Sequence, residues 1–249
     1  MKTNKKIKKL IIIPLYNEEE SIEFILNSIN TSYSDWDILV VNDDSTDQAG
    51  YLAEKSGLAD VIHLPYNLGI GGCVQTGFKY AARRAYDICV QVDGDGQHPV
   101  DKIQDLADIV LAGEADVVIG SRFSKKSNGF KTSLFRRVGI KIFEWFSFLL
   151  IRQKITDHTS GFRAYNQRAF SFLADNYPTD YPEPEVIILL GKNGFTIKET
   201  FTQMQERQGG ISSISLARGP YYMAKVMLSM FMASIRTKII HRKNMYHEY

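Results

Sequence analysis

The 249-residue chain has few of the features that mark secreted, nucleic-acid-binding or membrane-spanning proteins. Cys73 and Cys89 are its two cysteines, which excludes a disulfide scaffold and favours a reducing compartment. The 30 basic and 28 acidic side chains leave a formal net charge of +2, so no nucleic-acid partner is expected. No apolar run reaches the roughly 20 residues that a membrane-spanning helix requires.

The N-terminus carries several lysines before the apolar run 10–13, but it does not have the form of a secretory signal. Pro14 and the acidic residues 18–20 follow, so the apolar stretch is too short, and no small-residue cleavage site comes after it. The run is interpreted as a first buried strand and the protein as cytoplasmic. A hydrophobic content of 44% and this length fit one large domain.

Short apolar runs alternate with longer amphipathic segments along the first 150 residues. This alternation predicts an α/β fold with a mostly parallel central sheet and helices on both faces. The predicted strands cover residues 10–13, 38–41, 60–64, 88–92 and 117–119, and the predicted helices cover 18–29, 46–56, 72–85, 101–111 and 134–151.

Polar clusters directly follow three of the predicted strands, where a parallel sheet places its ligand site. The clusters are residues 14–18, residues 42–45 and the Asp-x-Asp of Asp93, Gly94 and Asp95. Two carboxylates so close repel each other unless a cation lies between them, and Mg²⁺ and Mn²⁺ prefer such oxygen ligands. The Asp-x-Asp therefore predicts a metal–diphosphate site, with a solvated acidic turn as the alternative.

A glycine cluster at positions 69, 71, 72 and 77 does not match a dinucleotide-binding fingerprint. Its spacing is wrong and it does not follow the first strand. We interpret these glycines as positions that let a helix approach the sheet closely.

Two very apolar segments, 134–151 and 221–235, are too short or too charged to span a bilayer. Each is interpreted as an amphipathic helix that lies at a membrane interface, with an ordinary core helix as the alternative. The second segment is rich in methionine and could also contact a membrane-protein subunit or a second copy of the chain. Basic residues after it, in 236–243, favour an anionic membrane surface or form a solvated tail.

Four stretches in order resemble family 2 glycosyltransferases of the GT-A fold: residues 11–18, 40–47, 67–69 and 93–95. More narrowly, the run Asp-Gly-Asp-Gly-Gln-His-Pro at 93–99 is similar to that of dolichol- and polyprenyl-phosphate sugar synthases. Residues 120–122 and 157–163 also resemble that group. The likeness covers about the first two hundred residues.

The resemblance implies an inverting, metal-dependent enzyme that moves a sugar from a nucleotide donor, such as UDP-GlcNAc or UDP-Glc, to undecaprenyl phosphate at the inner face of the plasma membrane. Some relatives carry transmembrane helices after the catalytic domain, and this chain is expected to have none. It then consists of a catalytic domain, 1–215, including the interfacial helix near 133–151, and a docking segment, 216–249. The alternatives are an enzyme, for example a rhamnosyltransferase, that extends a lipid-linked glycan, and an inactive membrane adaptor.

The resemblance also assigns roles to residues. The nucleotide-sugar site comprises Pro14, Tyr16, Asn17, Glu18, Asp43, Asp44, Asp93, Gly94 and Arg207, with either Asp43 or Asp44 accepting a hydrogen bond from the base. The ligands for Mn²⁺ or Mg²⁺ are Asp93, Asp95 and Gln97. Arg207 belongs to a glycine- and serine-containing loop, 207–213, that closes over the donor.

On the acceptor side, Arg122, Arg136 and Arg137 are expected to bind the phosphate, with a solvated helix face as the alternative. The expected catalytic residues are Asp95, Asp157, Arg163 and Glu185, and Glu183 is a further acidic candidate. A hydroxyl acceptor requires a general base, whereas a phosphate acceptor is already an anion and does not.

Overall fold

A computed structural model describes residues 6–124, 134–178, 182–205 and 219–235 of the chain, and the side chains of the two helices that follow gaps are described from residues 139 and 225. Seven strands form one sheet: β1 Lys9–Leu15, β2 Asp37–Asn42, β3 Asp60–His63, β4 Ile88–Gln91, β5 Val117–Ser121, β6 Arg163–Asn166 and β7 Ile197–Phe201. The helices are α1 Ile22–Ser32, α2 Ala49–Ser56, α3 Gly69–Arg83, α4 Ile103–Leu111, α5 Leu134–Ile151, α6 Gln167–Asn176, α7 Pro182–Lys192 and α8 Gly219–Ile235.

The sheet has the strand order β3-β2-β1-β4-β6-β5-β7. Every neighbouring pair is parallel except the two that involve β6, which runs antiparallel to both β4 and β5. The prediction of a mostly parallel α/β sheet is confirmed. The strand β6 was not predicted because its four residues, Arg-Ala-Tyr-Asn, contain no apolar run.

Two hydrophobic clusters cover the two faces of the sheet. Along β1, Leu10 and Ile12 belong to one cluster while Ile11 and Ile13 belong to the other, and all four are fully buried. A strand that is buried on both faces reads as a continuous apolar run, which explains the pattern at 10–13. Burial of each such side chain stabilises the fold by about 1.5–3 kcal/mol.

One glycine of the 69–77 cluster does allow a helix to approach the sheet closely. A Cβ atom at Gly77 of α3 would lie 2.5 Å from Cγ2 of Ile12 in β1, well inside van der Waals contact. A larger residue at 77 would therefore push α3 away from the sheet.

Helices α5, α7 and α8 contribute to the hydrophobic cluster that covers one face of the sheet. Val226, Met230 and Ala233 of α8 are buried in the same cluster as the apolar face of α7, and Phe143 of α5 packs against that cluster. Among the described residues, no helix has both the length and the apolar content needed to cross a bilayer.

Candidate functional site

The polar segments that follow β1, β2 and β4 lie together at one edge of the sheet. Backbone N–H of Asp43 donates to the carbonyl of Leu15 at 2.8 Å, and Ser21 Oγ donates to the carbonyl of Gly94 at 2.5 Å. A Cβ atom at Gly94 would lie 3.2 Å from the carbonyl oxygen of Pro14, so the first and third segments touch. We call this side of the sheet the donor edge.

Short polar side chains join the loops after β1 and β2. Asn17 N–H donates to Ser45 Oγ at 3.1 Å, and Asn17 Oδ1 accepts from Thr46 N–H at 2.8 Å. Asn17 and Asp44 have φ angles of 53° and 59°, in the left-handed region that few residues other than glycine adopt. Such conformations persist where surrounding contacts hold them, which is what these hydrogen bonds do.

The two candidate base-binding aspartates differ in their surroundings. Asp43 is 2% exposed, and its carboxylate accepts backbone hydrogen bonds from Leu68 at 2.7 Å and from Gly69 at 2.8 Å. Asp44 is exposed on the turn, and Tyr16, in the loop after β1, is 47% exposed. Glu18 is buried, and its carbonyl accepts from the first turn of α1.

The Asp-x-Asp motif follows β4 and is fixed by its neighbours. Asp93 Oδ1 accepts from Gln91 Nε2 at 3.1 Å, and Asp93 N–H donates to Nδ1 of the buried His98 at 2.9 Å. The His98 ring stacks on Phe162, with centroids 5.0 Å apart. Asp95 Oδ1 accepts from the backbone N–H of Gln97 at 3.0 Å. His98 was not among the predicted site residues, although it lies within the 93–99 motif.

Gly161 lies against the first carboxylate of the motif. A Cβ atom at Gly161 would lie 2.7 Å from Asp93 Oδ2 and 3.0 Å from Asp93 Oδ1. Because even a methyl group has no room there, Gly161 lets the segment that precedes β6 lie directly against the Asp93 carboxylate. The 157–163 motif by itself does not assign this glycine a role.

The donor set of the motif fits a divalent cation. Asp93, Asp95 and Gln97 are all half-buried, so their oxygen atoms are open to solvent on one side. No group of three His, Cys, Asp or Glu side chains suited to a metal occurs within the described residues. Two carboxylates with one amide oxygen are an incomplete shell, which suits Mg²⁺ or Mn²⁺ because these ions share their coordination with substrate phosphates.

Arg122 and Asp157 form a bidentate ion pair just after β5. Arg122 Nε lies 2.8 Å from Asp157 Oδ2, and Nη2 lies 2.7 Å from Oδ1. Burial alone would raise the pKa of the Asp157 carboxyl, which is 1% exposed, but the guanidinium outweighs it and holds that pKa below its usual range. An ionised carboxylate that is already paired is a poor proton acceptor, so this geometry favours a positioning role for Asp157.

Glu199 of β7 supports that pair from behind. Its carboxylate accepts from the backbone N–H of Asp157 at 2.8 Å and of Thr156 at 3.0 Å. Burial raises the pKa of Glu199, although these hydrogen bonds oppose the shift. Sequence reasoning missed this residue because it comes from a strand more than forty positions away.

Arg163 begins β6 and is almost wholly buried, at 1% exposure. Its Nε donates to the carbonyl of Ser160 at 2.7 Å, and its Nη2 donates to the carbonyls of Glu183 at 3.0 Å and His158 at 3.3 Å. These bonds tie the segment 158–160 to the start of α7. These contacts favour a positioning role for Arg163, and its predicted catalytic role stays a prediction.

The two candidate acids of α7 differ in position. Burial raises the pKa of the Glu183 carboxyl; Arg163 opposes that shift, whereas the charge of Asp93 adds to it. Glu183 therefore lies within electrostatic range of the Asp-x-Asp motif. Glu185 is 5% exposed and interacts with other groups of the protein.

Several predicted residues lie where the structure describes no side chain. Arg136 and Arg137 belong to the first turn of α5, whose side chains are outside the described set. Arg207 and its loop, 207–213, lie outside the described residues altogether.

A family model for "Glycosyl transferase family 2" matches residues 10–174. The chain belongs to this family. It is 33% identical over 215 residues to polyprenol monophosphomannose synthase of Mycolicibacterium smegmatis, covering 83% of this chain and 80% of that protein. It is also 33% identical over 171 residues to undecaprenyl-phosphate mannosyltransferase of Micrococcus luteus, covering 63% and 65% of the two chains. The predicted resemblance to polyprenyl-phosphate sugar transferases is confirmed.

Solved structures of similar fold are GT-A glycosyltransferases. Glucosyl-3-phosphoglycerate synthase of Mycobacterium tuberculosis, crystallised with Mn²⁺, UDP-glucose and phosphoglyceric acid, has a TM-score of 0.65 at 18% identity, and the match covers 92% of this chain and 80% of that one. Staphylococcus aureus TarS in complex with UDP has a TM-score of 0.61 at 20% identity, covering 94% and 67%. At this identity the likeness shows the fold alone, and the predicted GT-A fold is confirmed.

Proposed function

We propose that this glycosyltransferase moves a sugar from a nucleotide donor, a UDP-sugar such as UDP-GlcNAc or UDP-Glc, to undecaprenyl phosphate. The observation that carries the proposal is the Asp93–Asp95 pair at the donor edge, beside the loops after β1 and β2. Relatives named for mannosyl and N-acetylglucosaminyl transfer to polyprenyl phosphates support the acceptor class.

The donor lies across the three loops in this proposal. Tyr16 offers an exposed ring to the base, and Asp43 or Asp44 accepts its N–H. Asp93 and Asp95, with Gln97, hold Mn²⁺ or Mg²⁺, and the ion when bound stabilises the negative charge of the leaving diphosphate. His98 accepts from the backbone N–H of Asp93, and Gly161 leaves room for the Asp93 carboxylate.

The charges near β5 support a phosphate acceptor. Arg122 is one-third exposed. Its Nε and Nη2 donate to Asp157 and Thr159, and among the described residues no acceptor lies at Nη1. That N–H pair, with Arg136 and Arg137 on the first turn of α5, would bind an anionic acceptor. A phosphate oxygen attacks the anomeric carbon without losing a proton, so no general base is required.

The candidate bases also favour a phosphate over a sugar hydroxyl. Asp157 is paired with Arg122, and Glu185 is buried. Glu183 is half-buried near Asp93, where it suits a hydrogen bond to a sugar hydroxyl of the donor. An inverting displacement, which family membership implies, places the acceptor opposite the leaving diphosphate.

The outer faces of α5 and α8 support a membrane surface as the place of action. We call them the apolar face: they expose large side chains, with Trp145 at 65% and Leu228 at 61%, and the others are Ile142, Phe148, Leu149, Phe231, Met232 and Ile235. Lys141 is 76% exposed beside it, and Arg152 and Lys154 lie against the Phe148 ring. Aromatic side chains with a basic rim suit a layer of anionic lipid headgroups, here those of the cytoplasmic leaflet.

The test is a donor panel with a defined acceptor. Purified protein is incubated with labelled UDP-sugars, Mn²⁺ or Mg²⁺, and a short polyprenyl phosphate. An acid-labile glycolipid that is lost on chelation of the metal is the expected product. Transfer to a glycan primer but not to the polyprenyl phosphate would indicate that the acceptor is a sugar hydroxyl. The absence of both sugar transfer and donor hydrolysis with every sugar would favour an inactive adaptor.

A further inference from the structure

A chain of hydrogen bonds leads from the surface of α2 to the donor edge. Glu54 Oε1 lies 3.0 Å from His63 Nε2, and His63 Nδ1 lies 3.0 Å from Asn42 Nδ2. Asn42 Oδ1 accepts from Ser45 Oγ at 2.6 Å and from Ser45 N–H at 3.3 Å. Ser45 Oγ in turn accepts from the backbone N–H of Asn17. We call these five residues the relay.

The positions of the hydrogens in the relay follow from its donors. Ser45 N–H can only donate, so the oxygen of the Asn42 amide must face Ser45 and its NH₂ group must face His63. His63 Nδ1 is then an acceptor and carries no proton. The proton of the neutral ring lies on Nε2, where it is donated to Glu54.

The relay acts directly on the loops of the proposed donor site. Its last bond joins Asn17 to Ser45. Asn17 and Asp44, the residue before Ser45, both have left-handed backbone conformations. A left-handed conformation costs roughly 1–3 kcal/mol at a residue other than glycine, so it depends on bonds of this kind. The bonds from Ser45 to Asn42 therefore help to hold the turn 43–46, together with the bond from Thr46 N–H to Asn17 Oδ1.

The inner part of the relay, at Asn42, is buried, and its outer part, at His63 and Glu54, is exposed to solvent. Asn42 is 6% exposed, and a Cβ atom at Gly50 of α2 would lie 2.5 Å from Asn42 Nδ2 and 3.2 Å from His63 Cε1. The Asn42 side chain therefore has no room to swing to partners outside the relay, and only a reversal of its amide group about its own axis remains open to it. The side chains of His63 and Glu54 are 43% and 57% exposed, so protons from solvent reach the ring.

We propose that Asn42 and His63 are positioning residues that set donor affinity, and that protonation of His63 weakens donor binding. The proposal rests on the donor site proposed above. A protonated ring carries N–H at both nitrogens, so its Nδ1–H would meet the NH₂ of Asn42, donor against donor. Either the ring leaves Asn42, or the Asn42 amide reverses and releases Ser45.

The charged groups around the ring do not prevent this conflict. Glu54 of α2 faces Nε2 and accepts from it in either state. On β2 the partner is the neutral amide of Asn42, and the neighbouring Asp43 carboxylate accepts hydrogen bonds from the start of α3 instead. Histidine as a residue type changes charge between about pH 5 and 8, which is the range that the test spans.

The kinetic test compares KM for the UDP-sugar at pH 6 and pH 8. For the unaltered protein the KM should rise by about three- to tenfold at pH 6, the size of one lost hydrogen bond, with a smaller change in kcat. The Asn42→Asp variant supplies a carboxylate that accepts from Ser45 and from His63 in either state, so its KM ratio should approach one. Lys55→Gln, beside Glu54 on α2, should keep the ratio of the unaltered protein. The pH also affects the donor, the metal and the acceptor, but these effects are the same for the unaltered protein, Asn42→Asp and Lys55→Gln. A difference between their KM ratios therefore reports on the relay.

A spectroscopic test requires no turnover. Nitrogen-15 spectra of the histidine rings, with the His63 signal identified by its loss in His63→Gln, should show an Nε2–H tautomer at pH 8 and an Nδ1–H form in Asn42→Asp. An Nδ1–H tautomer in the unaltered protein would overturn the proposal, and so would equal KM ratios in the unaltered protein and Asn42→Asp. A chain that transfers no sugar, yet shows the expected tautomers, would contradict the proposed function and leave the relay standing.

Discussion

The donor edge and the apolar face of α5 and α8 are stabilised in opposite ways. At the donor edge, short polar side chains such as Asn17, Ser45 and Asp43 join neighbouring loops through hydrogen bonds. On α8, Val226 and Met230 pack inward while Leu228 and Phe231 face outward without a polar partner. The first region is organised before any ligand arrives, whereas the second has apolar surface left to bury.

This difference separates the two halves of the proposed reaction. A charged, water-soluble donor needs fixed hydrogen-bonding groups, because each misplaced group loses binding free energy. A lipid-linked acceptor needs a surface that meets the bilayer, and there buried apolar area matters more than exact geometry. Variants at the donor edge should therefore change turnover, and variants on the apolar face should change the affinity of the protein for membranes.

The largest effect is expected for Asp95→Asn. The amide keeps the shape of the side chain but removes the charge that would hold the cation, so turnover should fall by about 10²- to 10³-fold. Circular dichroism and thermal unfolding should remain as in the unaltered protein. Asp101→Asn, whose carboxylate is 71% exposed on the turn before α4, serves as the matched control. Undiminished turnover in Asp95→Asn would refute the metal role.

The next effect is on stability, at the pair between Arg122 and Asp157. Asp157→Asn leaves a partly buried guanidinium without its counter-charge, so the free energy of unfolding near pH 7 should fall by about 3 kcal/mol. Urea denaturation measures it. The control is Glu114→Gln, which removes an exposed pair with Lys198 and should cost less than about 1 kcal/mol.

The pH dependence of that difference has a definite sign. The pKa of Asp157 is lowered in the folded protein, so its contribution is fully present above the unfolded pKa of about 3.9 and is lost as the pH falls through the folded pKa. The gap between the two proteins should be constant from pH 7 to pH 5 and narrow below about pH 4. A gap that widens on acidification would contradict the ion-pair interpretation.

A smaller effect is expected on the apolar face, where one of the two tryptophans lies. Trp145 is 65% exposed and Trp36 is 5% exposed, so a blue shift of emission on adding anionic vesicles reports on Trp145. Replacing Leu149 and Phe231 by serine should lower vesicle affinity by about tenfold or more. Phe24→Ser with Tyr51→Ser removes equally exposed rings from α1 and α2 and should change little.

The outcomes on vesicles also distinguish the possible occupants of this face. Binding to anionic but not to neutral vesicles supports a lipid surface with its basic rim. Concentration-dependent dimers in solution, with no vesicle binding, would assign the face to a second copy of the chain instead.

The smallest effect is expected for Gly161→Ala. The added methyl group would lie 2.7 Å from Asp93 Oδ2 and must displace the carboxylate, so the metal concentration for half-maximal turnover should rise by about tenfold. Gly57→Ala is the control for stability alone, since Gly57 has a φ of 63° and free space around it. It should lower stability by about 1 kcal/mol without changing the metal requirement. Equal metal requirements in both variants would exclude contact between Gly161 and the site.

Much of the donor edge could be predicted from sequence because strands buried on both faces leave a plain apolar signal. The runs that became β1, β2 and β4 also fixed where their polar successors would lie. The second half of the fold gave no such signal. β6 is four residues long and exists through pairing with β4 and β5, and β7 alternates apolar and polar residues only briefly.

Residues that act through tertiary contacts were missed for a related reason. Gly161 and Glu199 each touch another segment, at Asp93 and at Asp157, and His98 reaches another segment through its stacking on Phe162. Such contacts depend on how loops meet in space, which residue spacing does not encode. Conversely, the motif predicts Asp157 and Arg163 as catalytic residues, whereas their burial and partners favour positioning roles that a motif cannot specify.

The reversed direction of β6 brings its first residue, Arg163, level with Gln91, next to the Asp-x-Asp motif. Only the residues between Ile151, the end of α5, and Gly161 separate this helix from the glycine that touches Asp93. The helix that carries the exposed Trp145 and the candidate cation site are therefore connected by one short stretch of chain.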